Sequence, residues 1–296
     1  TTVEGVALGR RLFYDPILSG DSTEACATCH HQDHAFGGPT RFATGIDGIQ
    51  GIRQAPTIIN AAWLPSAFWD GRAASLEDQA SQPVPNPDEM HLAWDEAVRR
   101  IQGNSEYPDL FCNAFGTSTV TKDRVVMAIG QFERTFVSAN SKYDRFTRGE
   151  LELSPLEEKG RLIFFTEVGD CVHCHGQAVG FDGDFHNIGL DSIPVDPGLE
   201  AITGDPADLG KFKTPSLRNI MASPPYMHDG RFNTIDEVLN HYNLGFHDGP
   251  LVDPLIRTRL SRPPMTEDQM VALKAFLGAF TDSTFLNNPA LSNPYR

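Results

Sequence analysis

The sequence predicts a mainly α protein made of two related halves, with long loops between the helices. Three observations carry that reading. Apolar residues recur at helical spacing while strand alternation is nearly absent. Two stretches of the chain repeat at fixed offsets, which marks an internal duplication. Finally, 26 Gly and 21 Pro among 296 residues exceed the ordinary share and favour irregular connections. The length suits about two domains, each able to bury a core. With 24 Lys and Arg against 39 Asp and Glu, the net charge is -15, a surface that repels phosphate backbones and anionic lipid headgroups. Neither nucleic acid nor a membrane surface is an expected partner, and no apolar run approaches the roughly 18 residues of a membrane span.

Along the chain, Gly9-Arg10-Arg11-Leu12-Phe13-Tyr14 precedes Cys26-Ala27-Thr28-Cys29-His30. Gly160-Arg161-Leu162-Ile163-Phe164-Phe165 precedes Cys171-Val172-His173-Cys174-His175, which places the cysteine motifs 145 positions apart. A second echo runs without gaps at an offset of 159, where Pro56-Thr57-Ile58-Ile59-Asn60 meets Pro215-Ser216-Leu217-Arg218-Asn219. In the same register Asp70-Gly71-Arg72 meets Asp229-Gly230-Arg231, and Ser75-Leu76-Glu77-Asp78 meets Thr234-Ile235-Asp236-Glu237. Ser75 and Thr234 are therefore expected to start matching helices. Val125, Ile129, Phe132 and Phe136 recur at helical spacing after Thr121. Met270, Leu273, Leu277 and Phe280 do so after Thr266-Glu267-Asp268-Gln269, which has capping-box form. Ser154-Pro155-Leu156-Glu157 combines an N-cap, a first-turn Pro and a capping Glu. The polar stretch Ser138 to Leu153, bearing Gly149, is the expected boundary. It gives domains 1–145 and 150–296, with the last ~15 residues packing back on the first.

Five cysteines are too few for a disulfide scaffold, and four of them form two short pairs, each followed at once by His. Cys-x-x-Cys-His is the pattern of c-type haem attachment. Two thiols a helical turn apart form thioethers to both vinyl groups of one porphyrin, and the adjacent imidazole reaches the iron. A zinc site or a thioredoxin-like redox pair would not require a His after both pairs. Two covalently bound haem c groups are thus expected, one on Cys26, Cys29 and His30, the other on Cys171, Cys174 and His175. Such attachment implies export to an oxidising compartment, most simply a bacterial periplasm. The start at Thr1, without a basic-then-apolar leader, is what a mature product without its signal peptide would show. Cys112, between Phe111 and Phe115, is expected to pack as a small apolar residue.

These motifs, with Phe68-Trp69-Asp70-Gly71-Arg72-Ala73 and Tyr226-Met227-His228-Asp229-Gly230-Arg231, resemble the di-haem cytochrome c peroxidase/MauG family over essentially the whole chain. The likeness is to its MauG-like, tyrosine-ligated branch. It implies two cytochrome c-like domains, with a peroxide-reacting haem in the N-terminal one and an electron- or hole-storing haem in the C-terminal one. In the family the helix begun here by Thr234 supplies the sixth ligand of the C-terminal haem, Met in the peroxidases and Tyr in MauG-like proteins. Val238, Leu239 and Tyr242 share a helix face, so His175 and Tyr242 are the expected axial pair. His241 lies about 100° around that helix, while Met227, Met221 and Met265 compete if the loops fold differently. The repeat register sets Pro83 against Tyr242, and Pro83 has no donor atom, which leaves the first haem open. The peroxidases also carry a distal His in the loop after the first motif. Here Phe42 to Gly51 contains none. His31 and His34 sit too near the motif to reach the opposite haem face and are read as solvated or propionate-contacting.

Peroxide heterolysis needs a group that moves a proton from the near oxygen to the leaving one. The resemblance assigns that role to Glu89 and matches Gln79 to the family's distal Gln. It makes Trp69 the inter-haem aromatic, a relay for electron transfer, whereas Trp63 and Trp94 have no such positional support. It also implies one calcium ion on Gln54, Ser223 and Pro225, where Gln54 stands for an Asn one methylene shorter; oxygen donors suit that ion. The implied function is oxidation of Trp or similar side chains of a partner protein by long-range electron transfer, driven by hydrogen peroxide through a bis-Fe(IV) state. An anionic Tyr ligand favours that oxidation more than Met does. The alternative is a di-haem peroxidase that reduces hydrogen peroxide with electrons from a small cytochrome or cupredoxin. A pure electron carrier would need two six-coordinate haems, which Pro83 argues against. The acidic charge favours a redox partner with a basic patch.

Overall fold

The computed structural model describes residues 1–176 and 180–295. Helices and long loops form two compact units. The first takes Thr1–Ala67, Ala73–Val137 and the segment from Phe285 on; the second takes Phe68–Arg72 and Ser138–Thr284.

The first unit is built on α1 (Val3–Tyr14), α2 (Cys26–Cys29), α3 (Leu76–Ala80), α4 (Trp94–Gly103), α5 (Tyr107–Phe115) and α6 (Lys122–Glu133). Thr121 caps α6 by accepting from the Arg124 amide, and the helix turns Val125, Ala128, Ile129 and Phe132 inward. Those residues meet Leu8, Leu12 and Phe13 of α1 in one core. The two helices approach closely because position 9 is glycine: a Cβ there would lie 1.8 Å from the Ala128 carbonyl oxygen. Phe36 closes the core by stacking on Phe136, ring centroids 3.9 Å apart, with Phe285 of the C-terminal segment against its edge.

The second unit repeats the plan with α7 (Lys142–Thr147), α8 (Pro155–Phe164), α9 (Val172–His175), the short α10 (Glu200–Thr203), α11 (Ile235–Asn240), the short α12 (Pro254–Arg257) and α13 (Glu267–Gly278). One small antiparallel pair, β1 (Phe185–His186) and β2 (Phe212–Lys213), sets Phe185 opposite Lys213. The expected capping boxes form at Ser154 with Glu157 and at Thr266 with Gln269. Here α8 packs on α13, and Gly160 does for them what Gly9 does in the first unit: its Cβ would lie 1.9 Å from the Ala272 carbonyl oxygen.

The duplication survives at the level of backbone angles. Asn60 and Asn219 both take φ 55°, and Phe68 and Met227 take 64° and 73°. The bridge Ala67 to Ala73 recurs as Tyr226 to Phe232. The ion pair of Arg72 with Asp70 recurs as Arg231 with Asp229. One local expectation fails. Cys112 is exposed, because α5 buries Phe111 and the next residue lies about 100° further around the helix.

Candidate functional site

Both Cys-x-x-Cys-His motifs form a single helical turn, and none of their four thiols is tied in a disulfide. In the first unit His30 Nδ1 donates to the Phe36 carbonyl at 2.8 Å. In the second, His175 Nδ1 donates to the Gly180 carbonyl at 3.0 Å. Burial holds both imidazoles below their usual pKa, so each ring is neutral and presents Nε2 as a lone pair. A backbone carbonyl on the far nitrogen is how proteins set the tautomer and direction of a metal-ligating His. Burial also pushes the thiols of Cys26, Cys29 and Cys171 up, which suits neutral sulfur bonded to carbon.

In the second unit a cavity of about 180 Å³ opens over these groups, its wall mostly apolar. Cys171, Cys174, His175, Tyr242, Leu277 and Trp69 all line it. Thr234 caps α11 with a capping box to Glu237, and the helix then widens into a π-helical turn, His241–Gly245. That turn aims Tyr242 into the cavity, where burial and the nearby cysteine sulfurs push its phenol up. A phenol so placed loses its proton readily only where a cation takes the proton's place on the oxygen. Its neighbour His241 is buried with Nε2 on the Ile188 carbonyl, 3.0 Å away, and so points elsewhere. Met227 and Met265 also line the cavity, Met265 with its backbone held by Asn243, while Met221 does not and is 38% exposed.

In the first unit Ser75 caps α3 as Thr234 caps α11, but the chain leaves the helix into a closed loop. The Pro83 carbonyl accepts from the Met90 amide and the Val84 carbonyl from Leu92. Gly20 and Ile46 then pin the loop by donating to the Met90 and Glu89 carbonyls. The His-free stretch from Phe42 can lie against it because a Cβ at Gly45 would sit 2.3 Å from the Asp88 carbonyl. Glu89, half-buried, accepts from Asn86 Nδ2 at 2.8 Å. Its charge is felt at both Cys26 and Cys29, so the loop brings Glu89 within electrostatic reach of the first cysteine motif. Gln79 is half-buried on α3. His31 and His34 are partly exposed beside that motif, with His31 on the Thr28 carbonyl and His34 on Asp33.

Gln54 is buried in the first unit, donating to the Gly38 carbonyl at 2.9 Å; Ser223 and Pro225 are buried in the second. A model of di-haem cytochrome c peroxidases matches residues 3–152. The methylamine utilization protein MauG of Methylorubrum extorquens is 38% identical over 251 residues, covering 84% of this chain and 71% of that protein. The chain belongs to the di-haem cytochrome c peroxidase family.

Within the family, the cytochrome c551 peroxidase of Nitrosomonas europaea is 34% identical over 281 residues, covering 93% of this chain and 79% of that one. A solved structure described as a MauG-like protein associated with microbial copper homeostasis superposes with a TM-score of 0.93 at 34% identity, covering 100% of this chain and 94% of that one. The family's cofactors are haem c, and the donor set fits them: two neutral, carbonyl-oriented imidazoles, each beside two unbridged sulfurs, one group opening on a mostly apolar cavity. No helix among the described residues is long and apolar enough to cross a membrane.

Two residues lining the cavity of the second unit escape sequence reasoning. Lys213 is only 8% exposed, and burial pushes its amine down to about 8 against the pull of Asp70. Its amide donates to the Trp69 carbonyl at 2.9 Å. His186 lies 3.8 Å from Cys174 Sγ, with Asp253 at 2.6 Å and Asp182 at 2.9 Å. Beside the Cys174 sulfur and between these two carboxylates, its imidazole is held above its usual value against the cost of burial. No spacing in the sequence relates these residues to the cysteine motif, because separate loops deliver them.

Proposed function

We propose that this family member uses hydrogen peroxide to oxidise Trp or similar side chains of a partner protein by long-range electron transfer. The observation that carries the reading is the asymmetry at matched positions after matched caps, Pro83 in the first unit and Tyr242 in the second. Cys26 and Cys29, and Cys171 and Cys174, would hold the two haem groups, which when bound would supply the peroxide chemistry and store the oxidising equivalents. His30 would hold the first iron, and Pro83, without a donor atom, would leave room for peroxide there. Glu89 takes the proton from the near peroxide oxygen and returns it to the leaving one, with Gln79 beside it. His175 and Tyr242 would hold the second iron, where an anionic oxygen ligand would favour the oxidised state. Trp69 would serve as the aromatic relay for the second oxidising equivalent. The same reading would have Gln54, Ser223 and Pro225 supply oxygen donors for calcium, and it places the protein in the periplasm.

Peroxide titration of the holoprotein, followed optically and by Mössbauer spectroscopy, tests the proposal. A paired Fe(IV) state that decays with loss of Trp on an added protein substrate supports it. The likeness to the Nitrosomonas peroxidase favours the second reading, reduction of peroxide by a small cytochrome or cupredoxin. Rapid turnover with such a donor, and no paired Fe(IV) state, would establish that reading instead.

A further inference from the structure

Glu133 ends α6 in the first unit at 4% exposure, and its Oε2 has no hydrogen-bond partner. A buried acid without a partner is costly, so the position calls for an explanation. Its neighbours do not neutralise it. Arg134 is taken by Glu77 in a two-pronged ion pair of 2.6 and 2.9 Å. On the other side, α1 offers Leu8, Gly9, Leu12 and Phe13, which carry no charge.

The duplication says what the position looks onto. Gly9 packs against Ala128 and Phe132 as Gly160 packs against Ala272 and Phe276. Residue by residue, α6 therefore maps on α13, and Glu133 falls on Leu277. Leu277 lines the cavity of the second unit beside Cys171 and His175. In agreement, Glu133 is the charged residue felt most strongly at Cys26, the first anchoring thiol. Packing at this place is satisfied by a leucine, so the carboxyl in the first unit serves something other than packing.

We propose that Glu133 is the redox-linked proton group of the first haem, keeping its proton while that haem is reduced and releasing it when the haem is oxidised. The inference rests on the reading of Cys26, Cys29 and His30 as that haem's site. When one electron passes from the haem to an oxidant, one proton passes from the Glu133 carboxyl to solvent, so the positive charge gained at iron is offset by the carboxylate formed beside it. Reduction reverses both transfers. Burial, with the Glu77 carboxylate adding to it and Arg134 opposing, pushes the Glu133 carboxyl up to about 8, within reach of a change in nearby charge. The charged groups facing it are Glu77 from α3 and Arg134, the residue that caps its own helix; Cys26, from α2, is neutral once bonded to carbon.

Potentiometric titration of the holoprotein with ferricyanide and dithionite, read at the high-spin haem between about pH 6 and 9, tests this. The wild-type midpoint potential is expected to fall as pH rises, while Glu133→Gln and Glu133→Leu hold it level at unchanged haem content. Redox-difference infrared spectra should show a protonated-carboxyl band that Glu133→Gln removes. A level wild-type potential, or a slope and band that persist in Glu133→Gln, would overturn the proposal. A chain carrying fewer than two haems would instead sink the reading of the site itself.

Discussion

The segments after α3 and α11 begin alike and end differently. Ser75 and Thr234 each cap a short helix by accepting from the amide three residues on. In the second unit the chain stays helical through a widened turn and delivers Tyr242 to a cavity. In the first, Pro83 starts the loop that carries Glu89. Proline supplies no amide to continue a helix and no side-chain donor for a metal. One difference in a duplicated frame thus separates a segment that turns away as a loop from one that delivers a phenol to a cavity. The same contrast repeats deeper in each core, where Glu133 stands against Leu277 and Gln54 against Lys213.

Breaking the contrast at its reactive end should have the largest effect. Glu89→Gln is expected to slow the reaction with peroxide by roughly 10²- to 10⁴-fold, measured by stopped flow, with haem content unchanged; an unaltered rate would remove Glu89 from the chemistry. Exchanging the matched residues comes next. Tyr242→Phe should abolish a tyrosinate low-spin signal in the electron paramagnetic resonance spectrum. Pro83→Tyr should convert the first haem from high spin to low spin and block peroxide.

The architecture that the halves share can be tested in pairs. Gly9→Ala and Gly160→Ala each force a Cβ onto a facing carbonyl and should each cost about 1–3 kcal/mol, read from urea unfolding. If one is silent, the helix pairs are not equivalent. Ser75→Ala and Thr234→Ala should lose about 1 kcal/mol apiece.

The smallest effect is electrostatic. The amine of Lys213 falls from 10.5 in the unfolded chain to about 8 in the folded one, so between those values the unfolded chain binds more protons. Its contribution to stability therefore rises with pH across that window. Lys213→Gln, the residue of the first half, should flatten the rise in urea midpoints measured at pH 8 and 10.

Much of this was legible because it is local. The capping sequences at Ser154 and Thr266 state their helices outright, and the periodicity of Val125, Ile129 and Phe132 states which face of α6 is buried. The cysteine motifs read clearly since one helical turn holds all three functional groups. Cys112 was misread because flanking phenylalanines suggest a buried segment, whereas a helix buries a face. Lys213, His186 and Glu133 were invisible because their meaning lies in partners brought from distant loops and helices.

By itself the sequence determined the duplication, the two Cys-x-x-Cys-His motifs, the helical class and the difference between Pro83 and Tyr242, all of which follow from residue identity and spacing. Only the tertiary structure decided where two segments belong. Phe68–Arg72 is part of the first half by descent, yet it packs within the second unit, where Trp69 lines the cavity and receives the Lys213 amide. The chain from Phe285 on follows the second half, yet it closes the aromatic core around Phe36. Burial and hydrogen bonding reward whichever surface completes a core, regardless of distance along the chain, and neither segment announces its destination through periodicity or motif.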